Sequence, residues 1–239
     1  MQKLLFLDIE NSPKLIYAWD LYETNALKVE KQSEIMSFAW KFQGDKSVRV
    51  ISQRQYKPKE LLKKIHGILD EAEIVCGHNS KSFDVKMLNA FFIHYGLPPT
   101  RPFRQIDTLQ IARKHFKFAS NKLNDLGEYL GVGNKVPTGG IDLWFKCMAG
   151  DKKAWLLMEK YNKQDVNLLE QVYQKLIPWA DNQPAVYHGV FCKKCGGEVQ
   201  FRGQYENKQF IGKRYQCKRC FSWGVSNKQY KVNKDEYIK

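Results

Sequence analysis

Two periods organise the apolar and polar positions of this chain. The first stretch, Leu4-Leu5-Phe6-Leu7-Asp8-Ile9-Glu10, reads as an apolar strand that ends in two acids. Side chains alternate along a strand, so Asp8 and Glu10 share a face and Ile9 points the other way. Neighbouring carboxylates repel, and each is costly to desolvate. The pair is therefore either surface charge at a strand end or half of a cation site. Leu15 to Leu21 and Ile35 to Phe42 continue the strand rhythm, with Phe38, Trp40 and Phe42 alternating with Ala39 and Lys41. Ser47 to Ser52 follows the turn Gln43-Gly44-Asp45, and the opening reads as an antiparallel meander.

The period then lengthens. Leu61, Leu62, Ile65, Ile68 and Leu69 after Pro58 have helical spacing. Ile74-Val75-Cys76 predicts a short strand entering the turn Gly77-His78-Asn79-Ser80. A helix from Ser82 to Tyr95 stops at Gly96 and Pro98-Pro99. Asp107 to Phe116 and Lys122 to Leu130 predict two more helices. Gly131 to Gly140 is a glycine-rich loop without the Gly-Lys-Ser/Thr ending of a P-loop. Asp151 opens a helix running toward Ile177, in one or two pieces, that Pro178 ends. Strands followed by helices alternating with a strand predict a mixed α/β domain over 1–178. A polar linker over 179–190 and a small module over 191–239 complete the chain.

Charge changes the picture of that module. The chain has 239 residues and a net charge of +14, from 39 Lys and Arg against 25 Asp and Glu. Residues 191–239 hold 12 basic and 4 acidic side chains, which is more than half of the excess. Such a surface favours polyanions, nucleic acid first. With 43% hydrophobic residues a real core is expected, and no window approaches the roughly 18 unbroken apolar residues of a membrane span. Asp8 and Glu10 cut short the first apolar run and no cleavage site follows, so no signal peptide and a soluble, cytoplasmic protein are expected; with no long apolar helix surface, a monomer is the default. Cys76 and Cys147 sit in apolar surroundings and read as buried thiols.

Two further segments bear on the acid pair. Gly77-His78-Asn79 precedes Phe83-Asp84 at a helix start, and Tyr161-Asn162-Lys163-Gln164-Asp165 lies in the long helix, with Tyr161 and Asp165 on one face. In order and context these three segments resemble the motifs of the DEDDy branch of the DEDD 3′–5′ exonucleases. That family has the RNase H-like fold and includes the proofreading domains of DNA polymerases. The chain is most similar to its standalone bacterial and phage members, which implies a bacterial or phage-infected cytoplasm. Its second motif departs from the polymerase pattern in His78-Asn79 and in the longer spacer to Phe83-Asp84.

The resemblance implies a two-metal site for Mg²⁺ or Mn²⁺, the hard ions that carboxylates suit, roughly 3.5–4 Å apart across a scissile phosphate. It implies that Asp8 bridges both ions, Glu10 and Asp165 serve the nucleophile's side, Asp84 supports the second, and Tyr161 orients the attacking water. Asn79 and Phe83 would touch the terminal nucleotide and Lys122 a phosphate. Each residue also has a plainer reading. Asp84 suits the dipole of its helix start, Asp107 caps the next helix, Asn79 makes a turn, Lys122 is solvated, and Tyr161 is a core-edge ring.

Cys192-Lys193-Lys194-Cys195 and Cys217-Lys218-Arg219-Cys220 form two knuckles with 21 residues between them. The separation is slightly beyond the usual spacing of about 15–20 residues; four thiolates suit one structural Zn²⁺, with an iron–sulfur cluster as the less favoured alternative. Val199 to Arg202 and Gln209 to Gln216 read as a hairpin, so the module is a zinc ribbon whose small core needs the metal. Phe201, Tyr205, Phe210, Tyr215, Phe221 and Trp223 interleave with cations, a pattern suited to single-stranded bases, and at least half of these rings are expected in the core. The expected function is a 3′–5′ exonuclease releasing nucleotides from DNA in replication, proofreading or repair, with a replication or repair protein as a second partner. An exoribonuclease with the same site and a non-catalytic nucleic-acid-binding protein are the alternatives.

Overall fold

A computed structural model describes the chain from 2 to 230, apart from 21, 23, 24, 135, 182, 187, 188, 190 and 208 and the side chains of 227–230. The chain forms two compact units, Lys3–Tyr173 as the first and Gln174–Lys239 with Met1–Gln2 as the second. His188, in the expected linker, lies outside the described residues. No helix among the described residues is long and apolar enough to cross a membrane.

The first unit is built on a five-stranded sheet. Its strands are β1 (Leu4–Asn11), β4 (Ile35–Phe42), β5 (Arg49–Ser52), β6 (Ile74–Gly77) and β7 (Arg104–Asp107), in the order β5-β4-β1-β6-β7. β1 is the central strand. It pairs antiparallel with β4 and parallel with β6, and β6 pairs parallel with β7. A central strand is covered on both faces, which explains why Leu4 to Leu7 is a continuous apolar run. The meander holds for β1, β4 and β5. The segment starting at Leu15 does not join it: β2 (Leu15–Tyr17) pairs with β3 (Lys28–Lys31) in a separate hairpin whose strand residues are all exposed.

Helices cover the sheet. α1 (Pro58–Asp70) and α2 (Asp84–His94) bury Leu61, Leu62, Ile65, Leu69, Val85, Leu88 and Phe92 against Leu5, Leu7, Ile9, Phe38 and Trp40. Each fully buried leucine or phenylalanine contributes about 1.5–3 kcal/mol. α3 (Thr108–His115) and α4 (Leu123–Tyr129) match the expected helices, but Arg104–Asp107 is a strand that periodicity does not reveal. Four residues are too few to show a period, and parallel pairing with β6 supplies the stabilisation. α5 (Asp142–Met148) is a further element that the apolar spacing does not predict; Leu143 and Cys147 pack with Met36, Trp155 and Met158. α6 (Lys152–Leu176) is continuous, with Asp151 capping it by accepting from the amides of Lys153 (2.7 Å) and Ala154 (3.1 Å).

The second unit holds a three-stranded antiparallel sheet, β8 (Val199–Glu206), β9 (Phe210–Cys217) and β10 (Trp223–Tyr230), with β9 in the middle. The expected hairpin is therefore one strand short of the observed sheet. Only Tyr215 of the six rings is buried; Tyr205 and Phe210 are half-buried, and Phe201, Phe221 and Trp223 are exposed.

Candidate metal centres

Period-two alternation on β1 puts Leu4, Phe6, Asp8 and Glu10 on one face. Phe6 meets the Tyr173 ring of α6 edge-on at 5.2 Å. Further along the same face the apolar contact gives way to the acids. A β-bulge between Glu10 and Asn11 ends the regular pairing with β4 just past them.

Asp8, Glu10 and Asp165 each place a carboxylate oxygen within 4.8 Å of the others'. Asp165 is buried and the other two are half-buried. Three carboxylates at that separation repel one another, and a hard cation would offset the repulsion. Asp84, the first residue of α2, lies outside this group but beside it, because its carboxylate accepts from the backbone amide of Ile9, between Asp8 and Glu10. Burial pushes the Asp84 carboxyl up to about 6; its own amide and that of Ile9 hold it down, and Asp107 adds repulsion. Tyr161 stands one helical turn before Asp165, with its ring edge-on to Trp144 at 6.2 Å.

α6 is held to the sheet by a row of polar contacts that sequence reasoning missed. Buried Asn162 donates from Nδ2 to Asp8 Oδ2 at 2.7 Å and accepts from Ser37 Oγ at 2.9 Å. Ser37 is itself the β4 partner of Glu10 in the sheet register. Buried Glu159 accepts from two guanidinium nitrogens of Arg54, Nε at 3.0 Å and Nη2 at 2.9 Å, and from the Ser52 hydroxyl at 2.6 Å. Glu170 pairs with Lys41 at 2.6 Å. The available signal was an amide three residues before Asp165, on the same helical face as an acid.

The expected substrate residues fall into two groups. Asn79 adopts a left-handed φ of 70°, and its amide donates to Asp107 Oδ1 at 3.0 Å. Asp107 also accepts from the amides of Lys81, Leu109 and Gln110, so it caps α3 and holds the turn. Lys122 is exposed at the start of α4. The His78 ring joins the two places, 2.9 Å from Thr108 Oγ1 and 2.8 Å from the carbonyl of Asn121. Phe83, just before α2, is exposed.

In the second unit Cys192, Cys195, Cys217 and Cys220 form one cluster without disulfides. The Cys192–Cys220 and Cys195–Cys217 sulfur separations are 3.8 and 3.6 Å. A tetrahedral ion with bonds of about 2.3 Å to sulfur has edges of about 3.8 Å, so the four thiols fit one such ion. Knuckle amides already point at sulfur: Gly197 at Cys195, and Arg219 and Cys220 at Cys217, at 3.3–3.4 Å. Burial opposes ionisation of Cys192, but the Ser222 hydroxyl and the amides of Cys195 and Lys194 outweigh it and bring the thiol down to about 7. Cys76 and Cys147 lie elsewhere, buried as expected, and burial pushes Cys147 up to about 11.

No curated protein matches the chain. Among solved structures the chain is similar to the family B DNA polymerase of the hyperthermophilic archaeon Pyrobaculum calidifontis, with 16% identity and a TM-score of 0.57. The likeness covers 74% of this chain and 25% of the polymerase chain, and at that identity it shows the fold alone. A family model described as RNase_H superfamily matches residues 5–177, the span that carries the sheet, α1 to α6 and the acids, and the chain belongs to that superfamily.

Proposed function

We propose that the protein is a metal-dependent 3′–5′ exonuclease acting on DNA, with residues 1–178 as its catalytic domain, 179–190 as a linker and 191–239 as a zinc ribbon. The observation that carries this reading is the convergence of Asp8, Glu10 and Asp165 within 4.8 Å, from a central strand and a distant helix, with Asp84 and Tyr161 beside them. Asp8, Glu10, Asp84 and Asp165 would hold two Mg²⁺ or Mn²⁺ ions. Such ions supply an activated water and neutralise the leaving 3′ oxygen. Asn162 donates to Asp8 and fixes the orientation in which that carboxylate would meet the ions. Tyr161 orients the attacking water through its hydroxyl. Asn79 and Phe83 contact the terminal nucleotide, and Lys122 takes a phosphate. In the second unit the four cysteines would hold one structural Zn²⁺.

The test uses 5′-labelled single-stranded DNA and RNA with Mg²⁺, with Mn²⁺ or with chelator. A metal-dependent ladder shortening one nucleotide at a time from the 3′ end is expected, faster on DNA. Internal cuts, or no product on either strand, would overturn the reading. A ladder on RNA alone would move it to an exoribonuclease.

A further inference from the structure

The second unit presents a face that the acidic centre does not explain. Its two knuckles place a left-handed residue after the second cysteine. In the first knuckle this is Gly196, with φ of 72°; in the second it is Phe221, with φ of 58°. Glycine adopts that backbone freely, whereas a bulky side chain is strained there. The strain brings no core contact in return, since Phe221 is 69% exposed. Backbone strain held without a packing reason points to use of the side chain at the surface.

The neighbouring residues extend the face. Trp223 is 53% exposed, and alternation on β10 puts it on the same side as Val225, whose register partner on β9 is Arg214. The Arg214 guanidinium lies over the Tyr205 ring at 5.5 Å, and Tyr205 stacks on Phe210 at 5.6 Å. Tyr205, Arg214, Trp223 and Val225 line an open groove of about 480 Å³. Phe221, Trp223, Lys193 and Lys194 line a second groove in the same unit. From 191 to 226 the sequence has eight Lys or Arg against Glu198 and Glu206, so exposed rings sit in a positive field.

We propose that this face is a binding platform for single-stranded nucleic acid, with Phe221 and Trp223 stacking on bases and Arg214 and Lys193 facing phosphates. Every unpaired base offers a π-face, and the phosphates supply the complementary charge, so rings between cations fit a single strand. A duplex keeps its base faces stacked and presents none to the rings. The platform goes beyond the exonuclease reading and does not require hydrolysis.

Binding is measured by fluorescence anisotropy with full-length Asp8→Asn protein, its cysteine-bound metal retained. The probes are oligo-dT, a duplex of the same length, and an abasic strand of the same length. Phe221→Gly and Trp223→Ala are each expected to weaken oligo-dT binding about tenfold and to leave the abasic strand within about twofold. Phe221→Gly relieves the left-handed strain, so metal content and melting temperature should hold or rise while affinity falls. Oligo-dT affinity within about twofold of the parent in both variants overturns the platform and assigns the face to another partner. Equal losses on oligo-dT and abasic strands overturn the stacking role. Ring-dependent binding without any 3′ ladder from the wild-type enzyme would sink the exonuclease reading alone.

Discussion

Asp8, Glu10 and Asp165 meet from opposite ends of the first unit's sequence, whereas Cys192, Cys195, Cys217 and Cys220 come from two short turns of one small sheet. The donors differ as well. Carboxylate oxygens suit hard ions and flexible coordination, while thiolates suit a closed tetrahedral site. The cysteine site carries its own geometry, because knuckle amides aim at the sulfurs whatever the rest of the chain does. The acidic site has no local scaffold. Its geometry depends on how α6 docks on β1 and β4, through Asn162, Glu159 and Glu170. Packing errors elsewhere in the first unit should therefore reach the acids and leave the thiols unaffected.

The sharpest way to break this contrast is to remove the thiolates. A Cys217→Ser/Cys220→Ser double variant should no longer hold the proposed zinc and should unfold 191–230, since such sites contribute roughly 10–16 kcal/mol of apparent binding energy. Metal analysis and amide exchange read the loss. Melting of the acidic domain should remain. A ribbon that stays protected without metal would show that its strands fold unaided.

Removing an acid should do the reverse. Asp8→Ala or Asp165→Ala should lower hydrolysis by about a thousandfold or more, at unchanged zinc content. Single-turnover kinetics measure the drop. A rate within tenfold of wild type would remove the acids from the chemistry.

Asp84 adds a pH signature to the metal-free protein. Burial holds its folded pKa at about 6, against 3.8 for an ordinary carboxyl. Below about pH 4 both states are protonated and Asp84 has no effect. As pH rises the unfolded chain ionises first, so stability falls between about pH 4 and 6 and levels off above, by up to about 3 kcal/mol. Asp84→Asn should flatten that fall and raise the metal-free melting temperature at pH 8 by several degrees, with the order reversing in excess Mg²⁺. Thermal scans across pH decide it, and an unchanged slope would deny the burial penalty.

Asn162 gives the smallest and most specific effect. Asn162→Ala leaves the Asp8 carboxylate without its fixed donor and Ser37 without its acceptor. Turnover should fall about 10–100-fold with KM little changed, as for other residues that orient metal ligands. A pure stability loss with normal turnover would make Asn162 a packing residue only.

Much of this architecture is legible in the amino-acid sequence. The helices from Pro58, around Asp84 and from Asp151 show in the apolar spacing, and the cysteine knuckles show in their own spacing. Arg104–Asp107 does not, because a four-residue strand carries no period of its own. Asp142–Met148 does not either, since a short helix after a glycine loop is stabilised mainly by packing on Met36 and Trp155. The β2–β3 hairpin resembles part of the sheet in sequence because exposed strands and buried strands share β-prone residues.

By itself the sequence determined what depends on neighbours along the chain: the acid pair at the end of β1, the Tyr161–Asp165 face of one helix, the paired knuckles and the basic bias of the last fifth. Only the tertiary structure decided what depends on groups far apart. It brought Asp165 to Asp8, placed Asp84 on the amide of Ile9, and assigned Asn162 and Ser37 to hold Asp8 in place. It also left Phe221 outside the ribbon's core. The physical reason is range: spacing encodes turns and faces within a few residues, while a buried hydrogen bond across the fold leaves no periodic trace in sequence.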